Sequence, residues 1–316
     1  MTETELAGAK APAAGPTKKG RKRKKPAPPL EGPARIPVAQ ETTGYYKDPV
    51  TGERLRRVTT ILNAGLPKGS GLMYWHGKVV AETAMERLPQ LVAASMDPQQ
   101  QADMLAWLTR TPERARDERG DVGRAVHRLI EARVLGEPVP QELLDDVTLR
   151  PFLRHFEAWV KEWEIEFEAS EMVVANRKAG YAGTLDFLCR SRVISLRLGL
   201  PPKTVYPGDT KTGGELDVKG VYPEAGYQMA AYRSARVGWL RDGTKVPMPS
   251  TSETGIVLHL RPEGYRVIPV DAGPSVFREF EAIHRVARGQ WTTAKKIVGS
   301  ALSLPDQDEI EMGEAA

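Results

Sequence analysis

The stretch Gly208-Asp209-Thr210-Lys211-Thr212-Gly213 decides how the rest of the chain is read. Side chains alternate along a strand, so Asp209 and Lys211 share one face of it and Thr210 takes the other. Upstream, Tyr181 to Cys189 alternates in the same way and sets Asp186 on one face with Thr184 and Leu188. Two such strands side by side bring two carboxylates and one amine together. Bare carboxylates about 4 Å apart repel by roughly 4 kcal/mol at a near-surface dielectric, so the pair needs a cation or a shared proton. A divalent metal bound through oxygen, with a lysine beside it, is the arrangement that phosphodiester hydrolysis requires.

Working outward, three strands are expected at Glu171–Ala175, Tyr181–Cys189 and Thr204–Lys211. The last two are separated by an Arg/Leu/Pro connection over residues 190–203, read as an extended hairpin. Pro207 offers no ladder donor, which predicts an edge position or a bulge beside Asp209. After the Gly213-Gly214 turn a helix is expected from Pro223 to Gly238, with Gln228 and Tyr232 four apart on one face and Arg233 and Arg236 close by. Thr254–Leu260 and Tyr265–Val270 form a hairpin around Pro262-Glu263-Gly264, and a last helix runs from Pro274 to Arg288.

On the N-terminal side, Pro151 to Phe167 carries Phe152, Phe156, Trp159 and Trp163 at helical steps, a core stripe. Val122 to Leu135 has its own stripe of Val122, Val126, Leu129, Ile130 and Val134, with His127 at the edge and Glu131 one turn on. A lone histidine there is ordinarily a satisfied boundary residue. Thr111-Pro112-Glu113 opens this helical stretch, and Gly120 and Gly123 are expected to interrupt it. Earlier still come a hairpin over Tyr45–Thr59 and helices at Thr59–Gly65, Gly71–Leu88 and Asp97–Thr109, with Trp75 expected in the core.

The length of 316 residues suits one large domain or two small ones, and 41% hydrophobic with 27% charged residues is ordinary for a globular chain. No apolar run reaches membrane-spanning length and no signal-peptide core is visible, so the cytoplasm is the expected compartment. The single cysteine, Cys189, excludes an internal disulfide and an iron–sulfur cluster. Of the net charge of +4, residues 1–40 carry +6, which leaves −2 for the remainder. The division expected is a disordered basic tail over 1–36, an N-terminal hairpin and helical region over 37–119, a core over 120–298, and an acidic tail over 299–316. The run Lys18 to Lys25 either binds phosphate backbones without sequence preference or only solubilises.

The order His127, Asp186, Asp209, Lys211, Gln228, Tyr232 on helix, strands and helix resembles the PD-(D/E)XK nucleases, in their RecB-like exonuclease branch of bacteria and phages. The matching residues are Gly123-x-x-x-His127, Gly183-Thr184-Leu185-Asp186, Asp209-Thr210-Lys211-Thr212-Gly213 and Gln228-x-x-x-Tyr232; Arg57 to Leu62 with Leu72-x-x-Trp75 is similar to the N-terminal region of phage members. Each motif alone is common; four in order are specific. The resemblance implies an α/β (mixed α+β) fold, a central mixed sheet flanked by helices with an N-terminal helical region. It implies that Asp186, Asp209 and His127 bind Mg²⁺ or Mn²⁺ with the Thr210 carbonyl, and that Lys211, Asp186 and Asp209 are catalytic. Gln228 and Tyr232 would contact DNA, the expected partner, or buttress the metal site. Glu171 is an acidic position on the preceding strand in similar proteins and ranks below these.

Other readings compete; one, a structural or packaging protein that binds through its basic tail, leaves the order of the motifs unexplained. Asp209-Thr210-Lys211-Thr212-Gly213 is similar to the phosphorylated segment of ion-pumping ATPases, but the lysine is displaced by one and no membrane segment accompanies it. No Gly-x-x-x-x-Gly-Lys-Ser/Thr loop is present, which removes ATP-driven helicase chemistry. The alternative from another class is a catalytically silent nucleic-acid-binding protein on a nuclease fold, which would be expected to lack a carboxylate or the lysine.

Overall fold

The computed structural model describes residues 40–41, 44–48, 51–67, 69–216, 221–239 and 245–302. The basic run at Lys18–Lys25 and the acidic residues from Asp306 onward lie outside them. Short strands β1 (Gln40–Glu41), β2 (Tyr45–Lys47) and β3 (Arg54–Arg57) lead into helices α1 (Val58–Gly65), α2 (Ser70–Glu86), α3 (Leu88–Ala94), α4 (Pro98–Thr109), α5 (Thr111–Leu135), α6 (Gln141–Asp145) and α7 (Arg150–Glu162). Next come β4 (Glu166–Asn176), β5 (Tyr181–Arg190), α8 (Arg192–Leu198), β6 (Val205–Lys211) and α9 (Glu224–Arg233). Strands β7 (Val237–Trp239), β8 (Lys245–Pro247), β9 (Thr254–Arg261) and β10 (Gly264–Asp271) precede α10 (Pro274–Trp291) and α11 (Ala294–Ile297).

The strands make one mixed sheet in which β5 is the hub. One edge of β5 pairs antiparallel with β4. Its other edge is shared: β3 joins in parallel at Tyr181 and Ala182, and β6 joins antiparallel from Phe187 to Arg190. These two ladders leave Gly183 to Asp186 between them, and β6 goes on to pair in parallel with β9 from Gly208 to Lys211. Alternation along β9 assigns the two faces. Ile256, Leu258 and Leu260 pack with Phe152, Phe156 and Trp159 of α7, whereas Val257 packs with Met229 and Ala230 of α9. Helices α1, α9 and α10 cover the α9 side, where Val58, Ile61, Ala231 and Phe280 meet Leu185 and Leu188. The fold is thus a mixed sheet with helices on both faces.

Several elements depart from the sequence reading. Helix α5 runs unbroken through Gly120 and Gly123. A Cβ on Gly123 would sit 3.1 Å from Thr212 Oγ1, so the glycine serves close approach to the turn after β6. The 190–203 connection holds α8, capped by the Ser191 hydroxyl accepting from the Ile194 amide and closed by Gly199 in the left-handed region. Helix α9 stops at Arg233, and the residues expected to extend it form β7 against β4. Trp75 is only half-buried, beneath Arg119, because none of the side chains of α2 described is buried.

Pro207 sits at neither an edge nor a bulge, since β6 lies between β5 and β9 with a regular β5 register. Pairing with β9 begins only at Gly208, so the missing proline donor loses no bond on that side. The register shift falls instead in β4, between Phe167 and Ala169. The N-terminal hairpin also joins the central sheet through β3, and α1 packs in the main core, so the core extends across the expected division at residue 119. A four-residue strand with three arginines and a short amphipathic helix carry no mark of what they pack against.

Candidate metal centre

The stripe of Val126, Leu129 and Ile130 buries one side of α5 and leaves His127 at its margin, over β4 and β5. Glu171 and Asp186 occupy facing positions on those strands, at a step that the β4–β5 ladder omits. Glu171 has φ 47°, a left-handed backbone that side-chain-bearing residues avoid. The switch shows in the packing, because Ala169 and Met172, three apart, face the same core. Irregularities of this kind re-aim a side chain, and strain of order 1–3 kcal/mol collects at functional sites. His127 Nδ1 lies 3.5 Å from Glu171 Oε1 and 3.6 Å from Asp186 Oδ2.

Asp209 is buried behind this opening, 2% exposed. The Lys211 ammonium lies 2.9 Å from its Oδ1 and 2.7 Å from its Oδ2. The Gln228 amide donates to Oδ1 as well, over 3.2 Å, and to the Tyr232 hydroxyl over 3.0 Å. Tyr232 is 3% exposed and rests on Gly183, where a Cβ would meet its ring at 2.5 Å. Its role is therefore to hold Gln228, and a direct contact with nucleic acid does not fit its burial. Thr210 is buried too, and its amide donates to Asp186 Oδ2 over 2.7 Å. The contact observed for Thr210 uses its N–H, whereas the resemblance assigned its carbonyl.

Burial by itself would lower the His127 pKa, but Asp186 and the hydrogen-bonded Glu171 outweigh it and raise the value to about 9. Burial lifts Asp209 to about 6 despite Lys211. Asp186 is raised by burial against the pull of His127. Lys211 is raised, its desolvation exceeded by Asp209 and Asp186. His127 and Lys211 are thereby held protonated at neutral pH, two cations set against the carboxylates of the cluster.

The donor set fits a divalent cation. Ligand atoms of His127, Glu171 and Asp186 all lie within 4.8 Å of one another. Around an ion with ligand distances of about 2.0–2.6 Å, ligand atoms are spaced about 3–5 Å apart. Asp209 Oδ2 is buried and, among the described residues, lacks a hydrogen bond of good geometry despite the nearby ammonium. One imidazole with carboxylate oxygens suits Mn²⁺ or Mg²⁺.

Two further side chains, His259 and Arg261, frame this site without having been singled out from sequence. The His259 Nε2–H donates to the Gly213 carbonyl over 2.8 Å, and Arg261 donates to the Thr212 carbonyl over 2.6 Å. Both pin the turn that follows Lys211. The signal available was two polar residues two apart in an otherwise apolar strand. Gly208 is required because a Cβ there would fall 1.7 Å from the Phe187 ring.

No family model matches the chain, and no curated protein matches it. Among solved structures it is similar to one described as "Crystal structure of SSO0001", at 14% identity over 56% of this chain and 70% of that one, with a TM-score of 0.27. That likeness is too low to carry an argument about the site. No described helix is long and apolar enough to cross a membrane.

Proposed function

We propose that this chain is a metal-dependent deoxyribonuclease of the PD-(D/E)XK kind, acting as an exonuclease in phage or bacterial DNA metabolism. The observation that carries the reading is the convergence of His127, Glu171 and Asp186 within 4.8 Å, beside an Asp209–Lys211 pair. A structural ion pair would not need a third carboxylate and an imidazole at the same opening. His127, Glu171, Asp186 and Asp209 would hold Mg²⁺ or Mn²⁺. When bound, the ion supplies Lewis-acid chemistry, drawing charge from the phosphate and making water more acidic. Lys211, partly exposed beside Asp209, offsets charge that develops on the phosphate oxygens. Gln228 keeps the Asp209 carboxylate in place, and Tyr232 keeps Gln228 in place.

The test is a time course on end-labelled linear and on circular DNA, with Mg²⁺ or Mn²⁺ and with EDTA. Metal-dependent loss of the linear substrate alone is the expected result. Retention of both substrates, with binding intact, would establish the silent DNA-binding alternative.

A further inference from the structure

A cavity of about 430 Å³ opens directly beside Lys211 and Gln228. Thr59, Leu62 and Asn63 of α1, at three- and four-residue steps, form one wall. Val221 and Tyr222, just before α9, and Ala225 in its first turn also line the cavity. Its floor is the paired ends of β6 and β9, Lys211 and His259. We propose that this cavity receives one unpaired nucleoside of the DNA strand whose phosphate lies at Lys211, a proposal that rests on the nuclease reading above.

Charge decides what the cavity can hold. Among the described residues its lining carries one ammonium, Lys211, already paired with Asp209, and one carboxylate, Glu224. His259 gives its Nε2–H to Gly213. Such a lining is a poor track for a polyanionic backbone, which is bound by surplus Lys and Arg. It does suit a neutral base with its sugar. Leu62, Leu66, Pro67 and Val221 offer apolar contact to the faces of a ring. Tyr222, 62% exposed, is free to stack on it, and Asn63, also exposed, has both donor and acceptor for a base edge. The volume lies near the lower end of small-molecule pockets, of about 300–1,000 Å³, which admits one nucleoside and no base pair. A strand end must therefore be single-stranded or must fray before its terminal nucleotide enters.

The experiment uses the full chain in EDTA, where no hydrolysis competes, with oligonucleotides carrying 2-aminopurine either at an unpaired end or inside a duplex. Anisotropy reports binding and 2-aminopurine emission reports the surroundings of the base. Emission of the unpaired-end probe should change on binding, and that of the internal probe should not. Asn63→Trp, which fills the cavity from an exposed position, should abolish the change and weaken binding of the unpaired-end probe about tenfold, the scale of one lost stacking contact. Tyr222→Ala, also at an exposed position, should reduce both effects. Binding with an emission change identical in wild type and both variants would overturn the cavity and leave the nuclease reading standing. Absence of binding by the wild-type protein to any probe would overturn the cavity as well, whereas the nuclease reading stands or falls on the digestion time course with metal.

Discussion

The backbone N–H of Thr210 donates to Oδ2 of Asp186 over 2.7 Å, one step beyond the place where β5 and β6 cease to pair. Asp186 is thus a strut between parting strands as well as a candidate ligand. Asp186→Ala leaves a buried amide unsatisfied, at about 1–3 kcal/mol, whereas Asp186→Asn keeps an acceptor oxygen. Both variants should lose Mn²⁺ binding by calorimetry, and the alanine variant should melt lower. Equal melting temperatures would mean that the strut adds no stability.

Asp209 is a buried carboxylate kept by Lys211 and Gln228. Asp209→Asn removes the charge while preserving shape and an acceptor, and replacing buried charge by a neutral group is often neutral or stabilising. The expected outcome is loss of metal-dependent digestion with a melting temperature in EDTA equal to or above wild type. A melting temperature several degrees lower would show that the ion pair holds the fold together.

Tyr232→Phe deletes the acceptor that fixes Gln228 and leaves the ring on Gly183. Loss of such an outer hydrogen bond ordinarily lowers activity about 10- to 100-fold. Digestion should slow to that degree with DNA affinity unchanged, because the hydroxyl is buried. A drop in affinity at unchanged rate would reassign the tyrosine to the strand.

His284 is pushed down to about 4 by burial, helped by Arg288 and Arg56. Its ring lies among Phe280 and Tyr181, so it stays neutral in the fold. The unfolded chain protonates it near pH 6.5, and between that value and about 4 the unfolded state binds the extra proton. Its contribution to stability is therefore complete above pH 6.5 and is lost as pH falls towards 4. Urea midpoints measured across this window should fall less steeply for His284→Phe. An identical slope would exclude His284 as a source of the acid dependence.

Sequence periodicity reached the site where geometry is local. The two-residue period joined Asp209 to Lys211, and the four-residue step joined Gln228 to Tyr232; both pairs are in contact. It also anticipated the core stripe of Phe152, Phe156 and Trp159. It missed α8, although Ser191 and Gly199 stood as its caps, because the Arg/Leu/Pro content read as a connection. It set Glu171 low, since a left-handed backbone at a glutamate has no sequence signature. It placed Trp75 in the core by helical spacing, which cannot distinguish a buried stripe from one left half-open.

The sequence by itself determined the local pairings, Asp209 with Lys211 on one strand and Gln228 with Tyr232 on one helix. It did not determine the faces of β5, where Leu185 and Leu188, three apart, meet the same core against the alternation expected there. Tertiary structure alone decided that the two pairs meet. The edge of β5 is divided between β3 and β6, which leaves Gly183 to Asp186 free of strand partners there. Asp186 then turns to the Thr210 amide, and Gly183 admits the Tyr232 ring. His127 reaches Glu171 and Asp186 because Gly123 lets α5 approach the end of β6. Pairing and close packing of segments distant in the chain depend on shape complementarity across the whole fold, and no local period encodes it.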